Sequence, residues 1–422
     1  MKNSGVEWIG EIPDEWNVKP VKRYFSHIKR IVGDDVDKYE RLSLTMQGVL
    51  KRSKDDAEGL QPEKFNGYQI LKQNELVFKL IDLENVNTSR VGISPFNGLV
   101  SPAYIILTNN KKDNTFYYYW FLNMYYQEIF NKLGDGGVRS ALNASDVLSL
   151  PMVYLNNETQ QRIASYLDKK CSKIEETIQN QQQVIEKLKA YKQSLITEAV
   201  TGKIKIQNGK VCGKYENYKD SGVEWIGKIP SGWETIKIKW LLNERKERSE
   251  EGKEEPLSMS QKYGLIPTKE MESIPNMAST FVGSKLTYKD DIVFNKLKAH
   301  LGVFSVSKYD GLVSPDYAVY TSTGKADLKY LEYLFKTPQC ISEFRKRSTG
   351  VEEGLTRLYT GELFSIYIPF PEKKEQENIA NILVSTCTAI DSAIEQKQNL
   401  IEKLTEYKKS LIYECVTGKK EI

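Results

Sequence analysis

The heptapeptide SGVEWIG stands at Ser4 to Gly10 and again at Ser221 to Gly227. Its surroundings agree too, SGVEWIGEIPDEWNVKPVKRYF in one place and SGVEWIGKIPSGWETIKIKWLL in the other. A repeat at this distance constrains the fold more than any local propensity, because each copy has to build the same unit. Further matches follow in order: LSLTMQGVL from Leu42 with LSMSQKYGLI from Leu257, ELVFKL from Glu75 with DIVFNKL from Asp291, and NGLVSPAY (Asn97 to Tyr104) with DGLVSPDY (Asp310 to Tyr317). The longest match, Ile163 to Lys203 on Ile379 to Lys419, needs no gap. Each half is therefore a variable globular part followed by a helix. A duplicated scaffold with diverged globular parts suits a device that reads two different things at a fixed separation.

The helical segments show a heptad period. Alternating steps of four and three pick out Ala164, Leu167, Cys171, Ile174, Ile178, Gln181, Ile185, Leu188, Lys192, Leu195 and Ala199. The second copy gives Ala380, Leu383, Cys387, Ile390, Ile394, Lys397, Ile401, Leu404, Lys408, Leu411 and Cys415. Asn157 with Gln160 resembles a capping box, Pro371 suits the first turn of the second helix, and Gly202 and Gly418 suit the C′ position. About 44 residues at 1.5 Å each make a rod of roughly 65 Å. The first helix leads away from the first module and the second starts at the second module, so an antiparallel coiled coil is expected. In that pairing Gln181 and Lys397 face each other near mid-helix and pin the register. The chain ends are then expected to lie close together.

Composition excludes several classes. With 422 residues, 40% hydrophobic and 27% charged, the chain is expected to form more than one globular domain. No apolar run approaches the roughly 18 residues of a membrane span. The opening MKNSGVEWIGEIPDEW has acids and prolines where a signal peptide needs an apolar stretch, so a cytoplasmic protein is expected. Cys171, Cys212, Cys340, Cys387 and Cys415 form no CxxC pair and are read as small apolar residues. A net charge of +4 is compatible with nucleic acid but leaves any DNA site local.

Catalytic equipment is missing. An adenine-N6 methyltransferase needs a [DNS]PP[YF] loop, and no two of the 14 prolines are adjacent. There is no GK[ST], and His27 and His300 are the only histidines. GDGG at Gly134 to Gly137 follows the aromatic stretch FYYYWFLNMYYQEIF and reads as a turn or DNA-facing loop; the aromatic stretch itself reads as a core helix. A chain without these parts would have to borrow such chemistry, including any base flipping, from a partner.

Each module reads as α/β: short strands near LSLTM, ELVFKL and LVSPAYIIL, then helices, with the same order in the second copy. Sequence-specific DNA reading needs Arg, Lys, Asn or Gln at base edges. The candidates in the first module are Gln47, Lys51, Arg52, Lys79, Arg90 and Arg139, with Lys262, Tyr263, Lys296, Lys298, Arg347 and Arg357 as positional counterparts in the second. Trp8, Trp16, Trp225 and Trp233 recur at matched sites and are expected to pack each module onto its helix. Off the seam, Val184, Tyr191, Ile196, Val200, Leu400, Tyr407, Ile412 and Val416 stay apolar. They either touch the neighbouring module or form a docking stripe for partner helices, once per half.

The paired module-plus-helix plan, the EWIG–IP–W openings, the GLVSPAY-type segments and the helix endings SLITEAVTGK and SLIYECVTGK together resemble the DNA specificity (S) subunit of Type I restriction-modification systems, over nearly the whole chain. The resemblance implies an α+β fold with two long helices, in a tandem pseudo-two-fold repeat. It divides the chain into a first target recognition domain (1–155), a first long helix (156–203), a linker (204–220), a second target recognition domain (221–371) and a second long helix (372–419). It implies that each domain reads one half of an interrupted, asymmetric site in double-stranded DNA. The helices would set the spacer and dock two modification subunits with adenine-N6 methyltransferase chemistry; two restriction subunits with motor and nuclease activity are the further partners. S-adenosylmethionine and ATP belong on those partners, and no cofactor or metal on this chain. Two rivals stand beside it: a self-sufficient methyltransferase or nuclease, and a coiled-coil DNA-binding regulator or scaffold not coupled to methylation.

Overall fold

The computed structural model describes residues 1–422 except 57–63, 82, 84–89, 111–112, 134–140, 208, 261–262, 272, 274–279 and 353–354. Arg139, Lys262 and the GDGG stretch lie outside the described residues. The chain forms two units, one of residues 1–182 with 398–422 and one of residues 183–397.

In the first unit, Gly48–Arg52, Arg41–Thr45, Gly98–Val100 and Gln69–Leu71 form one four-stranded sheet in that order. Its pairs are antiparallel except the one between Gly98–Val100 and Arg41–Thr45. A second sheet runs Ser26–His27, Ile105–Thr108, Leu76–Phe78, Val91–Ile93. Alternation along its central strands divides their side chains between two cores. Val77 and Ile106 join Leu42, Leu44, Val49, Leu71 and Val100, whereas Leu76, Phe78, Ile105 and Leu107 face the aromatic helix Thr115–Tyr126. Strands buried on both faces have to be continuously apolar, which is why LVF and IIL are. The aromatic helix is buried at Phe116, Tyr117, Tyr119, Trp120, Phe121, Leu122 and Met124, a core element as its sequence indicates.

The second unit repeats the plan. Leu242–Glu244, Tyr317–Ser322, Ile292–Asn295 and Phe304–Val306 form a sheet with the same order of counterparts. The hairpin Leu257–Ser260/Gly264–Pro267 and the pair Lys285–Thr287/Gly311–Val313, linked by a parallel bridge from Pro256 to Leu312, take the places of the other sheet. In both units the opening segment pairs with the strand that leads into a long helix: Asn17–Pro20 with Pro151–Tyr154, and Glu234–Lys237 with Tyr367–Phe370.

The long helices span Asn157–Val200 and Lys373–Val416, and each unit holds part of both. In the first unit Ile163, Ala164, Leu167, Cys171 and Ile174 share a core with Leu411, Ile412, Cys415 and Val416. In the second, Leu195, Ile196, Ala199 and Val200 share one with Ile379, Ala380, Leu383 and Cys387. The start of one helix meets the end of the other each time, so the pairing is antiparallel.

The helix starts sit slightly off the sequence reading. Asn156, not Asn157, caps the first helix, its Oδ1 accepting from Thr159 N at 2.8 Å. Gln160 Nε2 turns back to Leu155 O at 2.8 Å, and Gln376 Nε2 to Pro371 O at 2.8 Å. Pro371 thus precedes the second helix as an acceptor and does not form its first turn. The C-termini follow the reading. Gly202 and Gly418 have φ of 73° and 72°. Lys203 N donates to Glu198 O and Lys419 N to Glu414 O, both at 2.8 Å, the longer bond of a Schellman motif.

Those glycines explain why EWIG–IP–W is written twice. A Cβ on Gly418 would lie 2.4 Å from Pro13 Cδ and 3.2 Å from Trp16, and one on Gly202 2.4 Å from Pro230 Cδ and 3.2 Å from Trp233. Each proline–tryptophan corner is seated on the helix end of the other copy, and Trp233 Nε1 also donates to Glu375 Oε2 at 3.1 Å on its own module's long helix, so the expected packing onto that helix is joined by a second contact. Trp8 lies against Trp120 of its own module, ring centroids 5.5 Å apart and planes tilted by 49°, and Trp225 is partly buried against the second unit's core. Lys419 Nζ donates to Ile9 O at 3.3 Å, so the segments near the two ends do meet.

Candidate nucleic-acid interface

A buried ion pair fixes each module's frame. Arg30 donates through Nη1 and Nη2 to Glu75 at 2.8 and 2.7 Å, and Arg245 through Nε and Nη2 to Asp291 at 2.8 and 3.1 Å. The carboxylates are 7% and 6% exposed, and each also accepts a backbone N–H, from Lys72 and Tyr288. The sequence reading missed these pairs. Their signal was the acid that opens both the ELVF and DIVF matches.

On this frame the first module's candidates fall into two groups. Gln47 is exposed in the turn joining Arg41–Thr45 to Gly48–Arg52, its N–H donating to Thr45 Oγ1 at 3.1 Å. Lys51 pairs with Glu40 at 2.6 Å and lies 5.1 Å over the Phe96 ring. Arg52 pairs with Asp56 at 2.6 Å. Lys51 and Arg52 line one open polar cavity with Asp37, Lys38, Tyr39, Glu40, Lys54 and Asp55, so these two do come together. Lys79 is half-buried and its N–H donates to Arg90 O at 2.9 Å. Arg90 corrects the sequence reading: its side chain is fully buried, with Nη1 donating to Ile81 O at 3.3 Å. A guanidinium so placed acts inside the module, out of reach of a base edge.

In the second module Tyr263 is exposed at the tip of the Leu257–Pro267 hairpin. Lys298 is exposed and lines a cavity with Ser258, Met259, Asn295 and Tyr317. Lys296 is half-buried, and its ammonium is held below its ordinary value by burial first, then by Lys285 and Arg357. Arg357 Nη2 donates to Asp316 Oδ1 at 3.2 Å. Arg347 is tied elsewhere, 3.7 Å from Glu343 on its own helix and donating to Ser365 Oγ at 3.1 Å. Register corrects one counterpart: Phe78 and Phe294 occupy matched places in their sheets, so Lys79 corresponds to Asn295, and Lys296 to Leu80.

Along the helices the expected seam residues differ in burial. Leu167, Ile174, Ile185 and Leu195 are buried, as are Leu383, Ile390, Ile401 and Leu411. Ile178, Gln181, Leu188, Ile394, Lys397 and Leu404 are half-buried. The seam lysines reach the opposite helix: Lys192 pairs with Asp391 at 2.6 Å in the second unit, and Lys408 with Glu175 in the first. The proposed docking stripe divides. Ile196 and Val200 belong to the second unit's core, and Ile412 and Val416 to the first's. Tyr191, Tyr407 and Leu400 remain 57%, 53% and 42% exposed, and Val184 is half-buried.

Comparison with known proteins places this arrangement. Residues 230–405 match the Type I restriction modification DNA specificity domain. The Type I restriction enzyme EcoDI specificity subunit of Escherichia coli is 21% identical over 303 residues, 68% of this chain and 66% of that protein, so the match spans just under two thirds of the relative. A chain solved in a study of complex assembly and conformational transition of the type I R-M system has a TM-score of 0.68 at 11% identity, with 97% of this chain and 100% of that one covered. The HsdS subunit from Thermoanaerobacter tengcongensis has a TM-score of 0.50 at 12% identity, over 97% and 98%. At these identities the structures speak for the fold.

Proposed function

We propose that this chain belongs to the Type I restriction-modification DNA specificity family and reads an interrupted, asymmetric site in double-stranded DNA, one half-site per module. The observation that carries this reading is the doubled architecture: two modules of one topology, diverged in surface, on two helices that pair antiparallel. The family is non-catalytic. Lys51, Arg52, Gln47 and Lys79 in the first module and Tyr263, Lys296, Lys298 and Arg357 in the second are the DNA-contacting candidates. Arg139 and Lys262 stay candidates from sequence alone, and Arg347 is the weakest, being tied to its own helix.

The helices act as the ruler and as the docking site. Tyr191, Leu400 and Tyr407, with Val184, present apolar surface that a two-stranded coil does not use. Two adenine-N6 methyltransferase subunits seat there, and restriction subunits join them; S-adenosylmethionine and ATP bind those partners. The chain works in the cytoplasm, beside its DNA. No helix among the described residues is long and apolar enough to cross a membrane.

Inserting one matched heptad in both helices tests the ruler. Seven residues add about 10 Å, which is about 3 bp of duplex. Genomic methylation mapping is expected to show a spacer longer by that amount with both half-sites unchanged. Altered half-sites with an unaltered spacer would refute the ruler. DNA binding with no recruitment of a methyltransferase would favour the scaffold reading instead.

A further inference from the structure

Matched backbone bonds let the two modules be superposed residue by residue near one edge. Leu142 N donates to Leu80 O at 2.9 Å, and Leu358 N to Lys296 O at 3.0 Å. Ala103 N donates to Ser101 Oγ, and Asp316 N to Ser314 Oγ, both at 3.3 Å. These bonds equate Lys296 with Leu80, Asp316 with Ala103 and Arg357 with Ala141. Three charged side chains in the second module thus stand where the first has three aliphatic ones. The shared fold does not require them, since the first module forms the same bonds without them.

The three act as a group. Arg357 is 23% exposed and is held to Asp316, itself 64% exposed, at 3.2 Å; its guanidinium lies 6.0 Å over the Tyr359 ring. Lys285 and Arg357 repel the Lys296 ammonium, and Glu244 and Asp316 attract it. Lys285 is 3.5 Å from Glu244. Among the described residues three cations share two carboxylates, which leaves positive charge in excess there at a partly exposed edge and favours an acceptor-rich ligand.

Asp316 decides between two acceptors. A phosphate would be repelled by the carboxylate beside the guanidinium. A guanine edge offers neutral acceptors that match the two parallel donors of a guanidinium fork, and a carboxylate that fixes the fork reduces the entropy lost on contact. We infer that Arg357, positioned by Asp316 and flanked by Lys296, is the base-reading group of the second module, directed at N7 and O6 of one guanine in the major groove, and that the first module reads its half-site without such a group. This rests on the DNA-specificity reading proposed above.

The test presents the full chain, in complex with its methyltransferase subunits, with a duplex library randomised over both half-sites. The wild type is expected to select a two-part motif. Arg357→Ala and Arg357→Lys, the second keeping charge but lacking the fork, are expected to relax one guanine position in one half-site by about 5- to 150-fold. Asp316→Asn is expected to relax the same position and no other. The intact motif of the other half-site, selected by the same molecules, reports that the variants are folded. The inference is overturned if both Arg357 variants keep every position, if they weaken all sequences alike, as a phosphate contact would, or if both half-sites degrade together. A wild type that selects no two-part motif overturns the specificity reading itself, a failure distinguishable from the others.

Discussion

The two modules share the contacts that hold their fold and differ along one partly exposed edge. Their ion pairs, Arg30–Glu75 and Arg245–Asp291, are made with the same backbone support, and Gly418 and Gly202 receive Pro13 and Pro230 at the same 2.4 Å. Opposite Lys296, Asp316 and Arg357, however, stand Leu80, Ala103 and Ala141. The contrast teaches that the fold is held by contacts repeated in each copy, so the remaining surface is free to diverge and carry different specificities.

The strongest way to break this equivalence is at the ion pairs. Arg30→Met and Arg245→Met each leave a buried carboxylate unpaired, and each is expected to lower stability by about 3–5 kcal/mol in denaturant titrations. Costs that differ by more than about 2 kcal/mol would show that the two frames are not alike. Gly202→Ala and Gly418→Ala come next. Each forces a left-handed backbone on a side chain and pushes a methyl into a proline, for an expected loss of about 2–4 kcal/mol.

A smaller effect is expected between the helices. Double-mutant cycles on Lys192/Asp391 and Lys408/Glu175 are expected to give coupling of about 0.5 kcal/mol each, shrinking as salt rises, since both acids are exposed. The least perturbing measurement is thiol labelling. Burial pushes the Cys171 thiol up to about 11 and that of Cys415 up to about 12, and raises those of Cys340 and Cys387. Alkylation requires the thiolate, so at mildly alkaline pH the native protein is expected to label first at exposed Cys212. Cys171 and its counterpart Cys387 should lag together, as read by mass spectrometry.

Much of the candidate site was visible in the sequence only as residue types. Lys51, Lys298 and Arg357 are surface or edge residues as expected, but Arg90 has the same chemistry and is fully buried. Nothing local distinguishes them, because burial depends on strands far apart in the chain. Asp316 was missed for a related reason. It reads as a minor variation between SPAY and SPDY until the fold sets it 3.2 Å from Arg357. The docking stripe divided likewise, with Tyr191 and Tyr407 left exposed and Ile196 and Ile412 buried in core, since a helix cannot specify which of its faces a module will cover.

What the sequence determined by itself was periodic or repeated: the duplication, the heptad seam, the C′ glycines and the core character of the aromatic helix. Such features follow from spacing along the chain, which constrains local geometry directly. Only the tertiary structure decided which copy closes on which. Pro13 sits on Gly418 and Pro230 on Gly202, because the antiparallel helices bring each copy's end to the other copy's beginning, and no local preference encodes that choice.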